Sequence, residues 1–347
     1  MTSISLPMAG VPEPEPIDVA ALSAEVRELA AQRDAVILAH NYQVPEIQDV
    51  ADYVGDSLGL SQRAAAVQSG VIAFCGVHFM AETASILCPE KTVLIPDPDA
   101  GCSLADSITV PELVTWQAEH PGAITVMYVN TTAAIKALTD YCCTSSNAVH
   151  VVEHIRREHG EDVEILFGPD MFLGAYVQKT TGHRNMQVWS GECHVHAGIR
   201  PTDITAVRDA NPGSEFLIHP ECGCVTSVME YVAAGDVDAQ GVHMLSTGGM
   251  LDYAEGAERA EQATGAALPV IVATETGMLY PMRKAAPDVT FIAANEAATC
   301  RYMKMITLPK LRDALRDMTG EVKVPADVAA KARIPIERMV AIGPRKD

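Results

Sequence analysis

Short β-branched or apolar runs alternate with Ala-rich stretches along most of the chain. The runs at 35–39, 71–75, 92–95, 124–129, 164–167, 187–189, 215–218, 242–245, 269–273 and 290–293 predict strands. The stretches between them predict helices. Strands that alternate with helices pair in parallel, with helices covering both faces of the sheet. The chain therefore reads as an α/β protein.

The pattern also repeats. The first strand of each third runs into a polar trio: His40-Asn41-Tyr42, Tyr128-Val129-Asn130 and His219-Pro220-Glu221. These trios begin 88 and 91 residues apart. A short helix is expected after each, ending on Asp52-Tyr53-Val54, Asp140-Tyr141-Cys142 and Glu230-Tyr231-Val232. A hydroxyl residue then opens a new helix, at Ser57, Ser145 and Ser246-Thr247. Ser57 and Ser145 each stand 17 residues after the start of their trio, and an insertion at 234–241 lengthens the third interval. Each third closes on a cysteine after a strand: Cys102, Cys193 and Cys300. Four features in the same order predict three related α/β units of roughly 90–100 residues. Ligands of parallel sheets bind beyond the carboxyl ends of the strands. Three such units facing one another would bring three polar trios, three helix N-termini and three cysteines to one centre.

Composition narrows the function. The chain has 347 residues, 48% hydrophobic and 20% charged. Those values exclude a disordered chain, a fibrous repeat and a mini-protein. No apolar run approaches the roughly 18–20 residues of a membrane helix. With 25 basic and 45 acidic residues the formal net charge is −20, which repels nucleic acid and anionic lipid. An anionic substrate would have to be held by local dipoles and a few fixed donors. Residues 1–17, with Pro12-Glu13-Pro14-Glu15-Pro16, read as a disordered, solvated tail and not as a signal peptide. Nine cysteines, an odd number without an export signal, predict reduced thiols in the cytoplasm.

Three thiolates with no fourth protein ligand suit an iron–sulfur cluster with one open iron, which can act as a Lewis acid. No CxxC pair exists, so a metal site must collect cysteines from distant parts of the chain. Cys75 and Cys88 read as core residues, and Cys222 and Cys224 compete for the ligand role because they follow the third trio. His40, Tyr42, Tyr128, His219 and Glu221 are candidate acid–base groups. Gly55-Asp56-Ser57, Thr144-Ser145-Ser146 and Ser246-Thr247-Gly248-Gly249 read as helix starts able to bind anions. The His150-Val151-Val152-Glu153-His154 match to an inverted zincin motif reads as the polar face of an exposed helix.

Several stretches resemble the quinolinate synthase family, the iron–sulfur enzymes of de novo NAD biosynthesis. They are Ile37-Leu38-Ala39-His40-Asn41-Tyr42-Gln43, Gly55-Asp56-Ser57, Gly101-Cys102-Ser103-Leu104-Ala105, Tyr128-Val129-Asn130, Gly168-Pro169-Asp170, Cys193-His194-Val195-His196, His219-Pro220-Glu221-Cys222, Ser246-Thr247 and Thr274-Glu275-Thr276-Gly277. The resemblance runs from about residue 18 to about 315. It implies three pseudo-symmetric three-layer α/β/α domains with short parallel sheets around a central 4Fe–4S cluster. The expected units are 18–104, 105–197 and 198–300, followed by a C-terminal helical segment, 301–347, packing back on the core. The resemblance assigns the cluster to Cys102, Cys193 and Cys300. It implies a transferase-type condensation of iminoaspartate with dihydroxyacetone phosphate to quinolinate, releasing phosphate and water. Catalytic roles fall to Glu221, Tyr42 and His219. Substrate contacts fall to His40, Tyr42, Ser57, Tyr128, Val129, Asn130, Ser145, His196, His219, Pro220, Glu221 and one or both of Ser246 and Thr247. Functional coupling to an aspartate-oxidising enzyme follows from the same resemblance, with no nucleic-acid or membrane partner. Some family members carry CxxCxxC near the last ligand, whereas Cys300 stands alone. The residues leave two other readings open: another cluster-dependent hydro-lyase, and a cluster-based oxygen or iron sensor.

Overall fold

The computed structural model describes residues 18–234, 241–265 and 268–343. The tail expected over 1–17 and most of the insertion expected at 234–241 lie outside the described residues.

Three four-stranded sheets form the frame, and every pairing within them is parallel. The first contains β1 (Ala35–His40), β2 (Tyr53–Gly55), β3 (Val71–Cys75) and β4 (Thr92–Leu94). The second contains β5 (Ile124–Tyr128), β6 (Tyr141–Cys143), β7 (Ile165–Gly168) and β8 (Met186–Val188). The third contains β9 (Glu215–Ile218), β10 (Val242–Met244), β11 (Val270–Ala273) and β12 (Phe291–Ala293). The spatial order is the same in all three: β2-β1-β3-β4, β6-β5-β7-β8 and β10-β9-β11-β12. Parallel pairing requires a crossover between successive strands, and helices supply most of these and bury the sheets. Ile37, Leu38, Ile72, Val126, Ile165, Phe216 and Ile271 are buried accordingly.

Two details of the repeat differ from the sequence reading. Residues 53–55 and 141–143, expected to end short helices, are the three-residue strands β2 and β6. A strand that short shows no periodicity of its own. Its conformation comes from the neighbour it pairs with, His40 with Gly55 and Tyr128 with Cys143. In the third unit, Glu230-Tyr231-Val232 lies within the helix Val225–Ala234, and the counterpart of β2 and β6 is β10. The longer crossover postpones the edge strand beyond the position that the spacing predicted.

The C-terminal residues fold back over the first two units. The helix Leu308–Asp317 packs on the helix Val19–Gln32, and the helix Ala326–Ala341 packs on β6 and on the helices Ala133–Lys136 and His78–Leu87. Between them, Ile95 N–H donates to Gly320 O (2.9 Å) and Val322 N–H to Val93 O (2.8 Å), covering the outer edge of β4. Gly320 has φ +79°, and an added Cβ would lie 2.2 Å from the Ile95 carbonyl oxygen. Gly182 also has positive φ, +66°, but an added Cβ meets nothing within 4 Å. A left-handed non-glycine residue costs roughly 1–2 kcal/mol. Gly182→Ala should lose about that much, and Gly320→Ala clearly more, because its methyl group must also push the edge strand away. Urea unfolding of the two variants tests this; equal losses would show that the edge contact contributes nothing.

Candidate active site

The carboxyl ends of β1, β5 and β9 open onto one central cavity. His40 ends β1, Tyr128 ends β5 and His219 follows β9 directly. All three line the cavity, as do Tyr42, Asn130, His196 and Glu221. The backbone at these ends bonds within its own unit, while several side chains find partners in another unit.

Two of the three strand ends share one local device. Tyr42 N–H donates to His40 Nδ1 (3.2 Å), and Glu221 N–H donates to His219 Nδ1 (3.4 Å). An imidazole that accepts at Nδ1 carries its proton on Nε2 when neutral. Both rings are neutral. Burial, with the Lys304 charge adding, lowers His40 to about 3, and burial beside His196 and His40 pulls His219 well below its usual range. Each ring therefore presents an N–H donor. Within reach of His219 Nε2 is Ser145 Oγ, at 3.3 Å.

Glu221 lies at the centre of a buried network. The Tyr128 hydroxyl donates to its Oε1 in a short hydrogen bond. His219 Nδ1 lies 3.7 Å from Oε1, and His196 Nδ1 lies 3.5 Å from Oε2. His196 Nδ1 has no hydrogen-bond partner among the described residues. Its Nε2 meets Tyr42 Oη (3.2 Å) and Thr274 Oγ1 (2.9 Å), and those two hydroxyls are 2.6 Å apart. The His196 and His219 rings stack 4.8 Å apart. Burial, and then the nearby Asp170 charge, holds the Glu221 carboxyl well above the usual carboxylate range. Asp170 itself is pushed up to about 7 by burial. Burial likewise holds His196 neutral, at about 3.

The three cysteines Cys102, Cys193 and Cys300 line the same cavity with free thiols. They sit on loops beyond β4, β8 and β12, each entering a short helical turn: Ala105–Ser107, His194–Ala197 and Met303–Met305. In all three the backbone N–H groups two and three residues on turn toward the sulfur. These are Leu104 and Ala105 for Cys102, Val195 and His196 for Cys193, and Tyr302 and Met303 for Cys300. Burial pushes Cys102 up to about 12 and raises the other two. Three unpartnered thiols, each given two donors that favour a thiolate, are a donor set that fits an iron–sulfur cluster. Cys222 and Cys224, expected as free thiols and as rival ligands, are instead joined to each other by a disulfide. The turn that starts the helix Val225–Ala234 folds them together, with Cα atoms 5.2 Å apart, and both are buried in the core of the third unit.

Hydroxyl groups complete the lining. Ser57 and Thr247 are the first residues of the helices Ser57–Ala66 and Thr247–Thr264, and both face the cavity with Ser145. Asp56 and Ser246 are the caps of those helices, accepting from Gly59 N–H (2.8 Å) and Gly249 N–H (3.3 Å). Thr247, whose Oγ1 accepts from Asn41 Nδ2 (3.1 Å), thus belongs to the cavity, while Ser246 lines a neighbouring groove. Val129 is buried just beyond β5 and its N–H donates to Cys143 O (2.8 Å); neither it nor Pro220 lines the cavity. The sequence reading missed Thr274, which ties Tyr42 to His196, and Asp170, whose carboxylate acts on Glu221. Both stand just beyond a strand, Thr274 after β11 and Asp170 after β7, and that shared position is the signal that could have found them.

The neutral histidines give a pH test. The unfolded chain protonates His40 below about pH 6.5, and the folded chain does so only near 3. Wild-type stability therefore falls as pH drops through that window, whereas His40→Asn lacks this contribution. Relative to the variant, the wild type should lose about 1.4 kcal/mol per pH unit between pH 6 and 4. Urea unfolding of both proteins across that range measures it; parallel curves would mean that His40 is protonated in the folded state.

The family profile described as Quinolinate synthetase A protein matches residues 24–341. The quinolinate synthase of Mycolicibacterium paratuberculosis is 57% identical over 321 residues, covering 92% of this chain and 88% of that protein. That of Mycobacterium sp. (strain KMS) is 57% identical, covering 92% of each chain. That of Mycobacterium tuberculosis (strain H37Rv) is 56% identical, covering 92% of this chain and 88% of that protein. Likeness of this extent reaches across all three sheets and the whole cavity, and the chain belongs to the quinolinate synthase family.

Proposed function

We propose that this protein condenses iminoaspartate with dihydroxyacetone phosphate to quinolinate, releasing phosphate and water, with a 4Fe–4S cluster held by Cys102, Cys193 and Cys300. The observation that carries this reading is the threefold match of those thiols around a cavity lined by His40, Tyr42, His219 and Glu221. When bound, the cluster supplies a Lewis-acidic iron that no protein side chain ligates.

The chain's own groups then have separable tasks. Both substrates are anionic, while the protein carries a net charge of −20. The Nε2–H donors of His40 and His219, the Asn130 amide, the hydroxyls of Ser57, Ser145 and Thr247, and two helix N-termini hold the carboxylates and the phosphate. These fixed donors turn an encounter into an intramolecular step. Glu221 carries protons. Its Oε1 is held by Tyr128, and its Oε2 faces the free Nδ1 of His196, whose other nitrogen meets Tyr42 and Thr274. A proton can pass between the Tyr42 hydroxyl and Glu221 along this line without leaving the buried site.

Three domains at 18–104, 105–197 and 198–300, each lending one cysteine and one polar strand end, agree with this division of labour, with 301–347 as a C-terminal helical segment. An imine such as iminoaspartate hydrolyses in water, so an aspartate-oxidising enzyme must supply it close by, in the cytoplasm. No helix among the described residues is long and apolar enough to cross a membrane.

Replacing Cys102, Cys193 or Cys300 with Ala should abolish iron and sulfide uptake on anaerobic reconstitution, while Cys222→Ala keeps it. The opposite result would move the ligand role to the third unit's core. Glu221→Gln keeps the shape and the acceptor for Tyr128 but cannot carry a proton. A general base contributes about 10²–10⁴-fold, so quinolinate formation should drop by that factor with a full cluster and near-normal thermal stability. Turnover within about threefold of wild type would reduce Glu221 to a hydrogen-bond acceptor.

A further inference from the structure

One charged group near the cavity has no role in the chemistry above. Lys136 ends the short helix Ala133–Lys136 beyond β5, and its side chain is fully buried. Its Nζ donates to the Thr131 carbonyl in a short hydrogen bond and stands 5.3 Å from the centroid of the Phe79 ring. No carboxylate lies within salt-bridge distance of it among the described residues. The carboxylate that acts on it from farther away, Glu82, accepts from Ala133 N–H (2.9 Å) and lies 4.0 Å from His78 Nδ1. A buried ammonium with no counter-ion is strongly unfavourable, so burial lowers the Lys136 pKa, and an amide or a methionine would fill this site without that penalty.

The surroundings identify the missing anion. Phe79 lines the central cavity, so Lys136 lies one side chain behind the cavity wall. The other acidic groups acting on it are the thiols of Cys142 and Cys102. Cys142 is buried within β6 and stays protonated, held up to about 12 by its burial. Cys102 faces the cavity and becomes a thiolate when it binds metal. A 4Fe–4S core of charge 2+ with three thiolates carries a net −1, and −2 after gaining one electron. We propose that Lys136 is the buried counter-charge of the cluster, stabilising its thiolate ligation and favouring its reduced state. The proposal rests on the reading of Cys102, Cys193 and Cys300 as cluster ligands. Lys136 is thus a positioning residue that acts through the cluster and does not touch substrate.

The competing role is purely structural: a donor that closes the turn around Thr131 and so holds Asn130 in the cavity. Two variants separate the roles. Lys136→Gln keeps a donor for the Thr131 carbonyl and loses the charge; Lys136→Met loses both. Each would be reconstituted anaerobically beside wild type, assayed for iron and sulfide, and titrated with dithionite while the reduced cluster is followed by electron paramagnetic resonance. Thermal unfolding would be measured with and without cluster. The proposal expects a more negative midpoint potential in both variants, and an apoprotein of Lys136→Met at least as stable as wild type. A folded apoprotein that no longer takes up iron and sulfide supports it as well. An unchanged midpoint in both variants, or a shift in Lys136→Met alone, overturns it in favour of the hydrogen bond. Failure of both variants to fold overturns it in favour of a structural lysine. A wild-type protein that takes up no iron and sulfide removes the cluster reading and the counter-charge together.

Discussion

Tyr128 donates its hydroxyl hydrogen to Glu221 across the seam between the second and third sheets. Both side chains are buried. Side chains also meet across the other seams. Asn41 reaches Thr247, Tyr42 reaches His196 and Thr274, and Ser146 donates to Asp56 (2.6 Å). A buried polar group without a partner is expensive, so the three units must meet at their strand ends for any of these groups to be satisfied. The cavity is therefore a condition of the assembly as well as its consequence.

The centre formed in this way is close to neutral inside a strongly acidic protein. Burial keeps His40, His196 and His219 uncharged and holds Glu221 and Asp170 toward their protonated forms. An anion entering the cavity would meet N–H and O–H dipoles that are already oriented, and such dipoles need little reorganisation when charge moves. Lys136 is buried behind the wall, against the Phe79 ring.

The three units divide this work unequally. The first and third strand ends carry histidine with the same Nδ1 contact, whereas the second carries tyrosine. The cysteine turns keep the repeat most closely, with backbone donors two and three residues beyond each sulfur. The helix starts diverge: Ser57 and Thr247 occupy the first helical position, while Ser145 lies in the turn before the helix Ala148–His159.

Much of this was legible in the linear chain. Apolar runs alternating with helical stretches determine parallel sheets, because buried strands and crossover helices leave different spacings of apolar residues. The 88- and 91-residue intervals between the polar trios marked the strand ends that the fold brings to one cavity. Other features depended on contacts that no local pattern encodes. The three-residue strands β2 and β6 take their conformation from β1 and β5, and β10 falls later than the repeat predicted. The choice between Ser246 and Thr247 is a matter of cap against first turn, one step of about 100° around the helix. The disulfide of Cys222 and Cys224 depends on a local turn, whereas the bridging place of Thr274 and the burial of Lys136 arise only when distant segments pack. The sequence alone determined which residues stand at the strand ends, because hydrophobic periodicity stops there. Only the tertiary structure decided which of them touch and which charges are left without a counter-ion, because burial and pairing are properties of the assembled units.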